Sequence, residues 1–205
     1  MYLLYTLSSM KQPKLILADL PAVFTYSEAR AAGISDRRLY SYRDLGYVDA
    51  IGRGLYRWAE NTDSDPNLLE IARRVPRATL CLISALAHHD LTDIIPPRTA
   101  FAIPRGSRTP KLHSPVEVHV FARQTFELGR GSLQIGADVS IGLYSAERSL
   151  VDFIRLRHRE GAEVAWEALR RWLRRRGSQP AVLIGMAQHF HGAERAIRNA
   201  LEIVQ

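Results

Sequence analysis

Apolar and polar positions change their rhythm several times along this chain, and each rhythm predicts an element. Lys14–Leu20 reads as a short helix stopped near Pro21. Val23 and Phe24 bridge to a second helix at about Tyr26–Ala32, with Ser27 or Thr25 near its cap. Gly33 supplies the turn, at a positive φ that glycine adopts without strain. Ile34 plugs the angle between helices, Ser35 caps a third helix, and Asp36 in its first turn suits the helix dipole. Leu39 and Tyr42 share one face of that helix, with Ile34 and Tyr47 close by. Arg37, Arg38, Tyr40, Ser41 and the Arg43–Asp44 pair take the opposite face, and Gly46 ends the helix. Tyr47–Ile51 and Leu55–Trp58 then read as strands around the tip Gly52-Arg53-Gly54. Helix, turn, helix and ribbon is the order of a winged helix-turn-helix.

The polar stretch from Glu60 to Pro66 is the clearest break. It is rich in turn residues, and Pro66 can open a helix with Asp65 or Ser64 as cap. Residues 1–60 are expected to form the winged domain and residues 66–205 a larger mixed one. In the latter, Pro66–Val75 and Leu80–His89 read as helices. Thr99–Ile103 and the alternating run VEVHVF at Val116–Phe121 read as strands, with a basic loop at residues 104–110 between them. Phe126–Leu128, Leu133–Ile135 and Val139–Leu143 are expected to be further strand pieces. From Glu147 the pattern turns helical and stays so to the end. Strands and helices in blocks predict an α+β fold.

Composition narrows the reading. The 205 residues are 46% hydrophobic and 24% charged, which suits a soluble protein of one or two domains. A net charge of +7 favours a polyanionic partner such as nucleic acid. Cys81 is the single cysteine and sits in an apolar run, so a cysteine zinc cluster or a disulfide framework is excluded and a reducing compartment fits. The apolar start MYLLYTLSSMKQPK has no basic lead and no small-residue cleavage site, and no apolar run reaches the roughly 20 residues of a membrane span. A cytoplasmic protein without a membrane partner is expected.

On a duplex, a recognition helix puts its N-terminal residues nearest the base edges. Arg37, Arg38, Ser41 and Tyr40 stand there, Ser35 and Arg43 suit phosphates, and Arg53 and Arg57 on the wing suit the backbone or minor groove. The plainer alternative is a solvated helix with ordinary surface arginines, or a winged domain used for protein contacts. Arg155, Arg157, Arg159, Arg170, Arg171 and Arg174–Arg176 outnumber Glu160, Glu163 and Glu167 on an amphipathic stretch whose apolar stripe is read as Trp166, Leu169 and Leu173, flanked by Trp172. That face reads as solvated and laced with Glu–Arg pairs such as Glu167–Arg171, and the alternative is a docking surface for an acidic partner or RNA. Neither His88–His89 nor His189/His191 has zinc-ligand spacing, so no metal or other cofactor is expected. Gly106-Ser107-Arg108 lacks the carboxylates that a nucleotidyltransferase carries just after its Gly-Ser, and no catalytic constellation stands out, so no enzyme is expected. Arg148 and Asp152, four residues apart, read as a structural ion pair.

Three segments carry a family resemblance. AAGISDRRLYSYRDLGYVDAIGRGLYR is similar to the winged helix of the AbiEi antitoxins, which closes on Gly-aliphatic-Tyr after the wing. RATLCLISALAHHDLTDIIPPRTAFAIPRGSRTP is similar to the start of their antitoxin domain. SAERSLVDFIRLRHREGAEVAWEALRRWLRRRG is similar to the segment with a Glu-Arg-Thr…Asp pattern, here Glu147, Arg148, Ser149 and Asp152, with serine keeping the threonine's hydroxyl. The resemblance implies an antitoxin of a type IV toxin–antitoxin, abortive-infection (phage-defence) system. Its first domain would bind repeats in its own promoter and repress the operon. Its second domain would counteract a nucleotidyltransferase-like toxin without forming a stable complex, with Arg148, Ser149 and Asp152 as candidate residues. Asp49 and Ala50 depart from the pattern and make the wing less basic. Alternatives are a one-component transcriptional regulator without a toxin, or an enzyme targeted to nucleic acid.

Overall fold

A computed structural model describes residues 20–60 and 64–204. The helix expected at Lys14–Leu20 lies, but for its last residue, outside them, as do residues 61–63 of the polar stretch. The chain forms two compact units. The first takes in the described residues up to Arg74 together with Leu112–Ser114 and Gln134–Ser140. The second takes in Val75–Lys111, Pro115–Leu133 and the residues from Ile141 onward.

In the first unit, β1 (Val23–Thr25) leads directly into α1 (Tyr26–Ala31). A turn at Gly33, φ +80°, passes to α2 (Asp36–Asp44), and the wing follows as β2 (Val48–Gly52) and β3 (Leu55–Trp58). The three-stranded sheet has the order β1-β3-β2, and both pairings are antiparallel. Phe24, Ala29, Ile34, Leu39, Tyr42, Val48, Tyr56 and Trp58 form the core, with Phe24 packed on Tyr56 and Trp58 at centroid distances of 5.9 and 5.3 Å. Burying each such large side chain contributes roughly 1.5–3 kcal/mol. The two strands expected for the wing are present as β2 and β3, and Val23–Thr25 is a strand of its own rather than a bridge.

The compact units part after Arg74, not at residues 60–66. Helix α3 (Pro66–Arg74) belongs to the first unit, because Leu69 joins Val23, Leu55 and Val139 in a small apolar cluster. Asp65 accepts the Asn67 N–H at 2.8 Å and so caps its start. Glu70 is buried in this unit. Its carboxylate accepts the Ser114 hydroxyl at 2.6 Å, the Ser114 and His113 N–H groups at 2.9 and 3.2 Å, and the Arg74 guanidinium at 3.2 Å. Burial alone would raise its pKa, but the bonds from Ser114 and His113 and the charge of Arg74 outweigh it and hold the carboxyl below its usual value. A Cβ on Gly52 would stand 2.9 Å from Glu70 Oε1, so the wing passes close to this carboxylate only because residue 52 has no side chain.

The second unit is built on a five-stranded sheet of order β6-β5-β4-β8-β7. Its strands are β4 (Thr79–Leu80), β5 (Thr99–Pro104), β6 (Val116–Phe121), β7 (Arg130–Gln134) and β8 (Ser140–Tyr144). β4 runs antiparallel to β5 and parallel to β8, and β5 runs parallel to β6. The helices are α4 (Leu82–His88), α5 (Arg123–Phe126), α6 (Ala146–Arg155), α7 (Arg157–Glu160), α8 (Ala162–Leu173), α9 (Pro180–Ala187) and α10 (Ala193–Val204). α6 is central: α4, α8, α9 and α10 all pack on it, and it is buried from Arg148 to Ile154. The whole molecule is α+β, as its blocks of strands and helices predict.

Several local expectations differ. Phe126–Leu128 is not a strand, because Phe126 closes the short helix α5 and turns into the core. Leu80 pairs with Phe101 in β4 instead of starting a helix. In VEVHVF the alternation is real, but the buried side chains are His119 and Phe121, while Val120 is 52% exposed. In α8 the buried stripe is Ala165, Ala168, Leu169 and Trp172, with Trp166 and Leu173 only partly covered. Small alanines let that helix approach the core closely, so the larger side chains at its flanks stay nearer to water.

Candidate nucleic-acid interface

The helix-turn-helix is fixed from its caps upward. Thr25 and Glu28 form a reciprocal capping box at α1: the Thr25 hydroxyl accepts the Glu28 N–H at 3.2 Å, and Glu28 accepts the Thr25 N–H at 2.6 Å. Arg73 also donates to both oxygens of Glu28, at 2.6 and 2.8 Å. Burial disfavours the charged form of Glu28, yet these donors prevail and lower its pKa. At α2, the Ser35 hydroxyl accepts the Arg38 N–H at 3.4 Å. Asp36 in the first turn accepts the Tyr26 hydroxyl at 2.8 Å and pairs with Arg30 at 3.3 Å, which ties the start of α2 to α1. Leu39 and Tyr42 turn inward and fasten α2 to the core.

The outer face of α2 carries the residues expected there. Arg37, Arg38, Tyr40, Ser41 and Arg43 are all exposed. The side chains of Arg37 and Ser41 meet no partner among the described residues. Arg38 donates to the Tyr42 hydroxyl at 3.0 Å and lies 5.9 Å from the centre of its ring. Arg43 is held by Asp44 at 2.9 Å and stacks over Tyr40 at 5.2 Å, and the Asp44 bond raises its pKa. Its charge is thus largely answered within the helix. Arg53 stands exposed at the wing tip, and its carbonyl accepts a bond from the Arg74 guanidinium. Arg74 therefore sets a second cation beside the tip. No local signal in the sequence points to it, because α3 reaches the wing only through the fold.

Two groups of expected residues stand elsewhere. Arg57 points into its own unit: it pairs with Asp49 at 3.2 Å and donates to the Ser64 carbonyl at 3.0 Å. Asp49, the residue that makes the wing less basic, is the one that draws it in. In the second unit, Arg148, Ser149 and Asp152 are each 1% exposed and so present no surface to a partner. The Arg148 guanidinium donates to Asp152 at 2.7 Å and to the carbonyls of Thr125 and Leu128, both at 2.6 Å. It lies 4.3 Å from the Tyr144 ring centre and 4.5 Å from that of Phe190. Asp152 also accepts Arg155 at 3.0 Å, and the Ser149 hydroxyl faces the Tyr144 carbonyl at 3.5 Å. The expected ion pair exists as a buried strut joining α6 to the residues around α5.

The charge does not follow the arginine-studded look of the first unit. Residues 1–74 hold 10 Arg and Lys against 9 Asp and Glu, whereas residues 75–205 hold 18 against 12. Contact with a polyanion through α2 would depend on where its few arginines stand, not on a general positive field.

Among the described residues no helix is long and apolar enough to cross a membrane. No curated protein matches the chain. Residues 13–59 match the family model described as transcriptional regulator, AbiEi antitoxin. The match ends at the wing, and both second-unit segments that resemble the family lie beyond it. Across its winged helix-turn-helix, this chain is similar to the AbiEi antitoxin transcriptional regulators.

Proposed function

We propose that this protein is a DNA-binding antitoxin that represses its own operon and opposes a nucleotidyltransferase-like toxin encoded beside it. The observation that carries the DNA-binding part is the outer face of α2. It presents Arg37, near the capped end, and Ser41, farther along, with no side-chain partner among the described residues, on a helix anchored by Leu39 and Tyr42. In this reading Arg37 and Arg38 reach base edges in the major groove, where arginine pairs bidentately with guanine. Ser41 and Tyr40 lie along the same groove, and Ser35 and Arg43 lie near phosphates. Arg53 takes the backbone at the wing. Arg57 is left out, since Asp49 and Ser64 already hold it. The family match over residues 13–59 supports regulation and the antitoxin role together. The protein acts in the cytoplasm on repeats in promoter DNA, needs no cofactor or catalytic step, and forms no lasting complex with the toxin.

A gel-shift with the duplex upstream of its own gene tests the repressor part. The native duplex should bind better than a random one of equal length, and affinity should fall steeply with salt as counterions are released. Equal affinity for both duplexes would refute sequence-specific repression. Co-expression with the adjacent gene tests the antitoxin part. Growth rescued by the wild type and by a double variant Arg37→Ala/Arg38→Ala would separate neutralisation from repression. Rescue lost in the double variant would make repression the protective act.

A further inference from the structure

Strand β6 forms one edge of the sheet in the second unit, and Glu117, His119 and Phe121 share one of its faces. His119 is only 7% exposed, yet its Nε2 has no hydrogen-bond partner among the described residues. Buried polar atoms are nearly always satisfied, so an orphan at this depth demands a reason. Nε2 stands 3.5 Å from Oε1 of Glu117. The short helix α7 ends at Glu160, whose carboxylate comes to the same place. One donor atom from each of Glu117, His119 and Glu160 lies within 4.8 Å of the others.

We propose that Glu117, His119 and Glu160 bind a divalent first-row transition-metal ion such as Zn²⁺. An imidazole nitrogen with two carboxylates is a ligand set suited to that class, and the two negative charges balance the ion. Arg159 now serves as the resident cation. It stands 3.4 Å from Nδ1 of His119 and bonds Glu160 at 2.9 Å. When Arg159 donates to Nδ1, the ring proton sits on Nε2. Metal binding at Nε2 moves that proton to Nδ1, and Arg159 must then swing away because two donors would face each other. Its side chain is 63% exposed, so water can take it. The ion would clamp edge strand β6 to α7, with open coordination positions on the side where Glu117 meets solvent. This site is independent of the DNA-binding reading.

The test titrates ZnCl₂ into the full, chelator-treated chain by calorimetry and follows the thermal midpoint. Co²⁺ serves as a second probe through its visible absorption. We expect one ion per chain and a raised midpoint. Glu117→Gln, at a half-exposed position that should fold normally, should weaken binding by at least about tenfold, as loss of a supporting metal contact does. Glu160→Gln should do the same. Arg159→Gln should tighten binding by removing the competing cation, a change that a general loss of fold would not produce. His189→Gln with His191→Gln should leave the affinity unchanged. Absence of Zn²⁺ binding would overturn the proposal. So would binding that Glu117→Gln and Arg159→Gln leave unaltered while the His189/His191 double variant abolishes it.

Discussion

Arg38 and Arg148 hold the same position in two helices that begin alike. Each is the third helical residue after a serine cap, and each gives its N–H to that serine, at 3.4 Å from Ser35 and 3.2 Å from Ser145. Each helix has an acid in its first turn, Asp36 in one and Glu147 in the other. Each arginine bonds the residue four further on, Tyr42 in one case and Asp152 in the other. Yet Arg38 is exposed, whereas Arg148 is among the largest fully buried side chains of the protein. The difference lies in what surrounds them. A buried guanidinium survives only if its donors are matched and its charge is answered, and Arg148 has a carboxylate, two carbonyls and aromatic faces for this. Arg38 has only the Tyr42 hydroxyl and ring beside it, and its charge is left to water. The caps build both helices, and the neighbours decide whether an arginine becomes a buried strut or stands exposed.

The largest expected effect tests the strut. Arg148→Ala leaves the buried Asp152 with Arg155 alone and frees the Thr125 and Leu128 carbonyls, and should cost about 3–5 kcal/mol in urea unfolding, whereas Arg38→Ala should change stability by no more than about 0.5 kcal/mol. Similar costs for the two would break the comparison. Next comes the exposed face of α2. Arg37→Ala should remove about 1–3 kcal/mol of discrimination between the native duplex and one with a changed base, read by gel-shift, with an unaltered unfolding curve.

The first unit has its own buried charge in Glu70, which sharpens the contrast. Because donors depress its folded pKa, its stabilising contribution is complete above the ordinary carboxylate value. It is lost as pH falls through the folded value. Wild type should therefore weaken on acidification below about pH 4.5, and Glu70→Gln should be less stable at neutral pH by about 1–3 kcal/mol with a flatter acid limb in thermal melts. The smallest effect belongs to the wing. Arg53→Ala should weaken all duplexes about equally and reduce the salt slope by about 1.

Much of the first unit was legible because its signals are local. Thr25, Gly33, Ser35 and Gly46 act within a few residues of themselves, so helix limits and the turn follow from the chain alone. The outward placement of Arg37, Arg38 and Ser41 follows from helical periodicity once Leu39 and Tyr42 are taken as the inner face. The fate of Arg57 was not legible, since Asp49 faces it across the hairpin and Ser64 arrives from the next segment. Arg74 at the wing and Glu70 under Gly52 were hidden by a border drawn at the polar stretch. That stretch marks a turn in the backbone, but the apolar side of α3 settles on the first unit all the same.

The second unit shows the limit more sharply. VEVHVF alternates, which marks a strand, yet alternation does not say which face is covered. Apolarity alone would bury the three valines, while the sheet puts β6 at an edge and covers His119 and Phe121. The three donors of the proposed metal site come together through this inversion, which no spacing in the chain announces. By itself, then, the sequence determined where the helices of the first unit start and stop, the helix-turn-helix with its wing, and the α+β character, because these rest on contacts a few residues apart. Only the tertiary structure decided which arginines are free and which strand face is inside. Burial and charge pairing are set by residues far away in the chain.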